Sequence, residues 1–388
     1  MKAADLRNKS ALPGSGCLKQ EAEDLESRIP PRRSYENTAE FSEVCQDGGA
    51  LCPAGRYGAA VCQLPEGRRK SQEEEAYVLG MESYVYGFPL VIMDVSKGAL
   101  TAASSPGEYT APMNQFARMT HYVSPDFKTV VRVSLNGLWS WACGDLGPEP
   151  FVFSVPDSHG RYYVTQATNM WTDDFASIGY RTTGTGPGNF LFVGPKWNGT
   201  APPDVKETYR AATRYVWVIN QVMAKGPKDF AAAFEISKGF KLTPLSAWGK
   251  PYTPPTNVPV EPSGDVSKDP FDLMDDMDAG TFFKRLAMLM VDNPPYPADG
   301  PALAKMKRLG IEPGKDFDIT KVDPKIARGL NRATKEAWNK LAAGPLEMKG
   351  TNGWVNFLGL GQFGTDYNTR AAIAILGLGA LTKAGELR

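Results

Sequence analysis

The chain has 388 residues, of which 42% are hydrophobic and 11% are aromatic, so it can bury a substantial apolar core and is not disordered as a whole. Its 43 lysine and arginine residues balance 43 aspartate and glutamate residues. Because no net charge draws the molecule toward polyanions, we predict no nucleic-acid partner and no attraction to an anionic lipid surface.

Residues 1–73 are polar and interrupted by Pro and Gly, which predicts a disordered or low-structure segment. The segment lacks the apolar run of a signal peptide. It contains four of the five cysteines, without CxxC pairs, and the two histidines of the chain lie far away. We therefore predict no zinc module there and no disulfide framework in the rest of the chain.

Residues 74–248 are predicted to form a β-rich domain with helices. A core-facing helix starts this domain, and Pro89 is expected to kink or end it. Phe151–Val155 and Tyr162–Gln166 alternate around a turn, which predicts a hairpin. Thr182–Gly188 must be a turn because it is rich in glycine, and it precedes a strand at 189–193.

Helical spacing recurs in two later stretches of the chain. Residues 205–239 are expected to form helix, with Tyr215, Val218, Ile219 and Val222 on one face. Prolines mark 249–269 as an extended linker. Residues 270–345 follow as a helical subdomain, in which Asp323 caps a helix that has Pro324 at its first position. The predicted fold class is α+β, an antiparallel β-sandwich-like domain with flanking helices and this helical subdomain.

Several separated segments resemble one family in the family's own order. They are YVYGFPLVIMD, GRYY, TDDFASIGYRTTG, FLFVGPKWNG and FGTDYNTRAAIAILGLGA. Together they resemble the domain-of-unknown-function 1254 family from about Glu74 to the end of the chain. The resemblance implies export or a periplasmic location, which the N-terminal sequence does not support, so the compartment stays open.

The resemblance also implies a following β-rich domain of the 1214 type, and the chain resembles a member that lacks most or all of it. On this interpretation residues 346–388 are the start of a truncated second domain. The apolar stretch Ala371–Leu381 is shorter than the roughly 20 residues of a transmembrane helix, so we predict no membrane span. We expect a second copy or another partner to cover this stretch.

Two departures from the family pattern weaken any acid–base role. Asn136 stands where members carry a carboxylate, and Asn169 stands where they tend to carry an acidic residue.

The candidate ligand-binding residues lie in or near the family-like block. Asp173 and Arg181 are predicted to form a buried pair that either fixes two strands or anchors a ligand carboxylate. The aromatic candidates offer flat surfaces to a ligand, although such residues equally fill sandwich cores. The predicted pocket comprises Asn136, Trp139, Tyr162, Trp171, Asp173 and Arg181.

The predicted function is binding or processing of a small molecule in this pocket. The alternative is a structural or partner-binding protein without catalysis. No residue is assigned a catalytic role, because no GxSxG elbow occurs and the adjacent Asp173 and Asp174 point to opposite faces of a strand. No cofactor and no metal site are predicted, and whether the protein is an enzyme is left open.

Overall fold

The computed structural model of the protein describes residues 66–123, 136–260, 269–343 and 360–377. Nine strands and seven α-helices lie in these ranges, which confirms the α+β class. The strands are β1 Ala117–Arg118, β2 Gly137–Asp145, β3 Phe151–Val155, β4 Tyr163–Asn169, β5 Asp174–Gly179, β6 Gly188–Val193, β7 Glu207–Arg210, β8 Tyr215–Met223 and β9 Lys241–Pro244. The helices are α1 Glu66–Leu100, α2 Phe230–Gly239, α3 Pro270–Asp275, α4 Ala279–Asp292, α5 Gly300–Arg308, α6 Pro324–Ala342 and α7 Tyr367–Gly377.

The strands form two sheets that pack face to face. The inner sheet has the order β1-β2-β8-β4-β5, and the outer sheet has the order β7-β6-β3-β9. All pairs are antiparallel except β6 with β7. Tyr163 and Val218 of the inner sheet share one hydrophobic core with Phe153 and Phe192 of the outer sheet, and the Tyr163 ring lies 5.7 Å from that of Phe240, next to β9. The predicted sandwich is therefore confirmed.

Helices cover the other face of the inner sheet. On β8, Val216 and Val218 face the outer sheet, whereas Trp217 and Ile219 belong to the core beneath the helices. The prediction of helix over 205–239 is therefore wrong for β7 and β8 and right for 230–239, which form α2. A strand that is buried on both faces is apolar throughout, so its period of two is hidden and it resembles a buried helix.

The predicted hairpin of β3 with β4 is also wrong. Strand β3 pairs with β6 and β9 in the outer sheet, whereas β4 pairs with β5 and β8 in the inner sheet. The turn between them carries the chain from one sheet to the other. Phe153 of β3 and Tyr163 of β4 both contact the ring of Phe240 across the interior, so the two strands share a core instead of a hydrogen-bond ladder.

Helix α1 runs through Pro89 without ending. Removing a backbone donor inside a helix costs about 3 kcal/mol, but Phe88, Leu90 and Val91 are fully buried on either side, and their burial offsets that loss. The helix begins at Glu66 and so extends into the segment predicted to lack structure. Residues before Glu66 lie outside the described part of the chain.

Close packing of α1 on α6 fixes the helical layer. A Cβ atom at Gly329 would lie 2.6 Å from the backbone oxygen of Glu73, so only glycine allows this approach. Asp323 accepts a hydrogen bond from the Lys325 backbone N–H at 2.8 Å, and Pro324 opens α6, as predicted.

Two segments bear on the remaining predictions. Residues 249–260 form neither helix nor strand, and the rest of the predicted linker, up to residue 268, lies outside the described residues. Ala371–Ala374 are buried within the chain in α7, so the expected uncovered apolar surface is not present there.

Ser71–Leu100 of α1 is the one stretch of the described residues that is long and apolar enough to cross a membrane, and 78% of its apolar window is buried inside the protein.

Candidate functional site

A fully buried carboxylate, Asp299, lies beneath the helical layer. It ends a 3-10 turn, Pro297–Asp299, that leads directly into α5. Its Oδ1 accepts from the Tyr367 hydroxyl at 2.9 Å, and its Oδ2 accepts from the Tyr86 hydroxyl at 3.1 Å and from the Tyr296 backbone N–H at 3.0 Å. Three donors therefore replace the water that the carboxylate loses on burial.

A second carboxylate, Asp173, lies next to this group just before β5. Its Oδ2 accepts from the Tyr296 hydroxyl at 2.8 Å and from Nη2 of Arg370 at 3.1 Å. Its Oδ1 accepts from the Phe363 backbone N–H at 3.2 Å. The side chain is 15% exposed and that of Arg370 is 1% exposed, so this is a nearly dry ion pair.

The turn between β4 and β5 holds Asp173 in place. Asn169 accepts from the backbone N–H groups of Trp171 at 2.8 Å and Asp173 at 3.2 Å, and it donates Nδ2 to the Tyr296 hydroxyl at 2.7 Å. Thr172 has a φ of 65°, which is unfavourable for a β-branched side chain. Such strain persists only where surrounding contacts impose it.

Arg370 is the cation of this group. Besides Asp173 it donates Nη2 to the Gly364 backbone oxygen at 2.9 Å. Its Nε and Nη1 have no hydrogen-bond partner among the described residues. The guanidinium instead lies over the rings of Tyr296 at 5.5 Å and Tyr367 at 5.8 Å, where aromatic quadrupoles stabilise a buried cation.

We call this set of hydrogen-bonded residues the buried network. It comprises Tyr86, Asn169, Asp173, Tyr296, Asp299, Tyr367 and Arg370.

The tyrosines of the buried network remain neutral phenols. Burial, together with the Asp299 carboxylate, raises the pKa of Tyr86, and burial with the nearby charge of Asp173 raises that of Tyr296. Burial and the hydrogen bond to Asp299 raise the pKa of Tyr367 to about 12. Each hydroxyl therefore keeps its proton at neutral pH and donates it to a carboxylate.

A cleft of about 630 Å³ opens between α1, α5, α6 and the start of α7. We call it the helical cleft. Its volume lies within the range of roughly 300–1,000 Å³ that is typical of small-molecule sites. Tyr86 and Tyr367 belong both to its lining and to the buried network. The lining residues are Met81, Glu82, Ser83, Val85, Tyr86, Pro301, Ala302, Lys305, Ala337, Lys340, Leu341, Thr365, Asp366, Tyr367 and Asn368.

Two other clefts have charged groups that already pair with one another. One of about 910 Å³ contains Arg214, which holds Asp145 through two hydrogen bonds of 2.8 and 2.9 Å. The other, of about 780 Å³, contains Arg161, which holds Asp229 at 2.5 and 2.8 Å. In both clefts the guanidinium group already has a carboxylate partner without a ligand.

The structure separates the six predicted pocket residues. Asn136 and Tyr162 flank the last residues of β8, where their backbone oxygens accept from Ala224 at 3.1 Å and Met223 at 2.9 Å. Trp171 and Asp173 lie near the first residues of β8, since Asn169 pairs with Val216.

The remaining two candidates also lie apart from one another. Trp139 packs half-buried against the helical core, and Arg181 lies exposed over the Tyr162 ring at 5.9 Å. Tyr162 lines the cleft that contains Arg161. The prediction of one pocket holding all six residues is therefore wrong.

The predicted pair of Asp173 with Arg181 does not form. Strand β5 has 6 residues between them, and at roughly 3.3 Å per residue it holds the two side chains on the order of 20 Å apart. The guanidinium that pairs with Asp173 belongs to Arg370. The neighbouring Asp174 accepts from Gln166 at 2.6 Å, so the two adjacent carboxylates have different partners.

Sequence reasoning missed most of the buried network. Tyr86, Tyr367 and Arg370 lie within quoted family-like segments, but they are separated from Asp173 by about 90 to 200 positions. Asp366, directly before α7, accepts from the Thr369 backbone N–H at 3.0 Å and so caps that helix. Asp299 lies in a segment without a motif, and nothing in its local sequence marks it as buried.

Among the described residues, no group of three or more His, Cys, Asp and Glu side chains is placed to hold a metal ion.

Comparison with known proteins supports the family resemblance over part of the chain. Residues 113–244 match the family described as protein of unknown function DUF1254. The match covers about a third of the chain, including Asn169 and Asp173, but not Tyr86, Asp299 or Arg370. A search of curated proteins found no match.

One solved structure shares the fold. The VPA0106 protein from Vibrio parahaemolyticus superposes with a TM-score of 0.55 at 21% sequence identity, over 77% of this chain and 67% of that chain. At this identity the likeness concerns the fold alone.

Proposed function

We propose that the protein binds a small, largely apolar molecule in the helical cleft, with Tyr86 and Tyr367 at the polar end of the site. The observation that carries this proposal is the shared position of these two residues. They line a cleft of suitable volume and donate their protons to Asp299, which is itself fully buried.

The composition of the lining supports a ligand with an apolar body. Val85, Ala302 and Leu341 contribute aliphatic surface, and the rings of Tyr86 and Tyr367 lie 5.1 Å apart in an edge arrangement. Apolar and aromatic residues make up 8 of the 15 lining residues, and such residues supply most of the contact surface in a small-molecule site. The supported function is therefore binding, and the alternative is that the buried network only ties α7 to the sheets.

A binding screen on a pair of matched variants tests this proposal. Ala302 is half-buried in the cleft wall, whereas Ala304, two positions later on α5, is exposed and outside the lining. Ala302→Phe should fill the cleft, and Ala304→Phe is the control. Fluorinated aromatic and aliphatic fragments are screened by ¹⁹F NMR, and circular dichroism verifies the fold of both variants.

We expect fragments that bind the wild type and Ala304→Phe with similar affinity, and bind Ala302→Phe at least about tenfold more weakly, a loss of roughly 1.4 kcal/mol. Binding should also raise thermal stability by mass action. Hits that bind Ala302→Phe equally well, or a screen without hits, would contradict the proposal and favour the structural alternative.

A further inference from the structure

Three hydroxyl groups of residues that line the helical cleft already donate hydrogen bonds within the protein. Ser83 donates to the Leu79 backbone oxygen at 2.7 Å, and Tyr86 and Tyr367 donate to Asp299. A hydroxyl has one proton to donate and lone pairs with which to accept. Ser83 and Tyr86 are only 2% and 1% exposed, so the half-buried Tyr367 is the one of the three that can meet a ligand, and toward it the phenol oxygen acts only as an acceptor.

The charges around the cleft do not favour an anion at this end. In the lining, the acids Glu82 and Asp366 balance Lys305 and Lys340. Glu82 and Lys305 are paired at 2.6 Å. In the buried network behind the tyrosines, two carboxylates face a single guanidinium, which leaves a formal surplus of one negative charge. Arg370 is 1% exposed and is not among the lining residues, so its charge is not offered to the cleft.

We infer that the ligand of the helical cleft carries a hydrogen-bond donor, a hydroxyl or an ammonium group, at the end that meets the Tyr367 hydroxyl, and no carboxylate there. This inference rests on the proposed function and deepens it by naming the ligand class. An apolar or aromatic body lies against the aliphatic wall, and its donor is accepted by the Tyr367 phenol oxygen, which is polarised by Asp299. A carboxylate in the same place would face the lone pairs of that oxygen, and burying it without a donor is unfavourable.

Four probes of the same shape test the inference. They are 1-naphthylmethanol, 1-naphthylmethylamine, 1-naphthoate and 1-methylnaphthalene, titrated into the full chain and followed by ligand-observed NMR. We expect the alcohol or the amine to bind about threefold to tenfold more tightly than methylnaphthalene, the range expected for one hydrogen bond. Naphthoate should bind most weakly.

The variant Tyr367→Phe locates the effect. It removes one acceptor while keeping the ring, so the preference of the alcohol or amine over methylnaphthalene should fall by about threefold or more. Tyr180→Phe, which changes a tyrosine that is 47% exposed and outside the cleft, should leave the preference unchanged.

The outcomes separate this inference from the proposed function. If naphthoate binds as tightly as the alcohol and the amine, or if methylnaphthalene does, the donor inference is wrong while the cleft remains a binding site. If Ala302→Phe weakens the binding of none of the probes and fragments, the proposed function itself is wrong. Should Tyr367→Phe fold poorly, the selectivity of the wild type among the four probes still decides.

Discussion

The interior of the sandwich and the buried network are both shielded from water, but they are stabilised in different ways. Between the sheets, apolar side chains pack together, and the polar ladder of Thr165, Asn220 and Ser140 is neutral and lies across neighbouring strands. The buried network contains charges and joins four distant segments. Apolar packing tolerates small changes of volume, whereas a buried charge depends on each of its partners. The most sensitive positions of this protein should therefore be the charged ones.

The largest expected effect is that of Arg370→Met, which removes the only guanidinium of the buried network. Asp173 would lose its cation while remaining mostly buried, and such a loss costs about 3–5 kcal/mol of unfolding free energy. Denaturant unfolding measures the change.

The double variant Arg370→Met with Asp173→Asn should recover part of this loss, because the uncompensated charge is then absent. The control is Arg181→Met, whose side chain is exposed and should change stability by no more than about 0.5 kcal/mol. Equal effects of Arg181→Met and Arg370→Met would remove the distinction between the two regions.

Asn169→Asp should have the next largest effect. The Asn169 amide donates to Tyr296, and a carboxylate in its place cannot donate and adds a third negative charge beside Asp173. We expect a loss of about 2–3 kcal/mol at pH 8. Asn198→Asp, on the exposed surface, is the control.

The loss of unfolding free energy in Asn169→Asp should grow as the pH rises. Burial and like charge raise the pKa of the introduced carboxyl in the folded state above its unfolded value of about 3.9. The penalty is therefore absent below that pH and grows as the pH rises through the folded-state pKa. A deficit that is constant from pH 4 to pH 8 would contradict the assignment.

Tyr367→Phe should lower stability by a smaller amount, about 1–2 kcal/mol near neutral pH, since Asp299 keeps two of its three donors. In the folded wild type the pKa of Tyr367 is raised from 10.0 to about 12. The stability from this phenol is complete below pH 10 and is lost as the pH rises toward 12. The difference in unfolding free energy between the wild type and Tyr367→Phe should therefore decrease from pH 10 to pH 12, as measured by chemical unfolding.

Ile178→Val in the sandwich interior should have the smallest effect of the four. Ile178 is fully buried on β5, and deleting one methylene costs about 0.5–1.5 kcal/mol. This loss should not vary between pH 5 and pH 9, because no titratable group is involved. A larger loss than that of Arg370→Met would reverse the comparison between the two regions.

Local signals predicted several elements correctly. The cap at Asp323 and the turn at Thr182–Gly188 each depend on a few adjacent residues, and the structure confirms both. Strand β8 was missed because burial on both faces removes the alternation that identifies a strand.

The site could be predicted only in part, for a physical reason. Asp173 was found because it lies in a dense motif, but its partners depend on tertiary docking. Placing Arg181 beside Asp173 assumed that residues close in sequence meet, whereas an extended strand carries them apart. Asp299 owes its role to the position of its turn under α1, which no local pattern encodes.

The contact of Asp173 with Arg370 spans 197 positions, and that of Tyr86 with Asp299 spans 213. Contacts of such long range slow folding, because the chain must close large loops before they form. During synthesis on the ribosome, Asp173 and Asp299 emerge long before Arg370 and Tyr367. Both carboxylates therefore lack their partners on α7 until this helix docks, and that docking step both completes the buried network and forms part of the lining of the helical cleft.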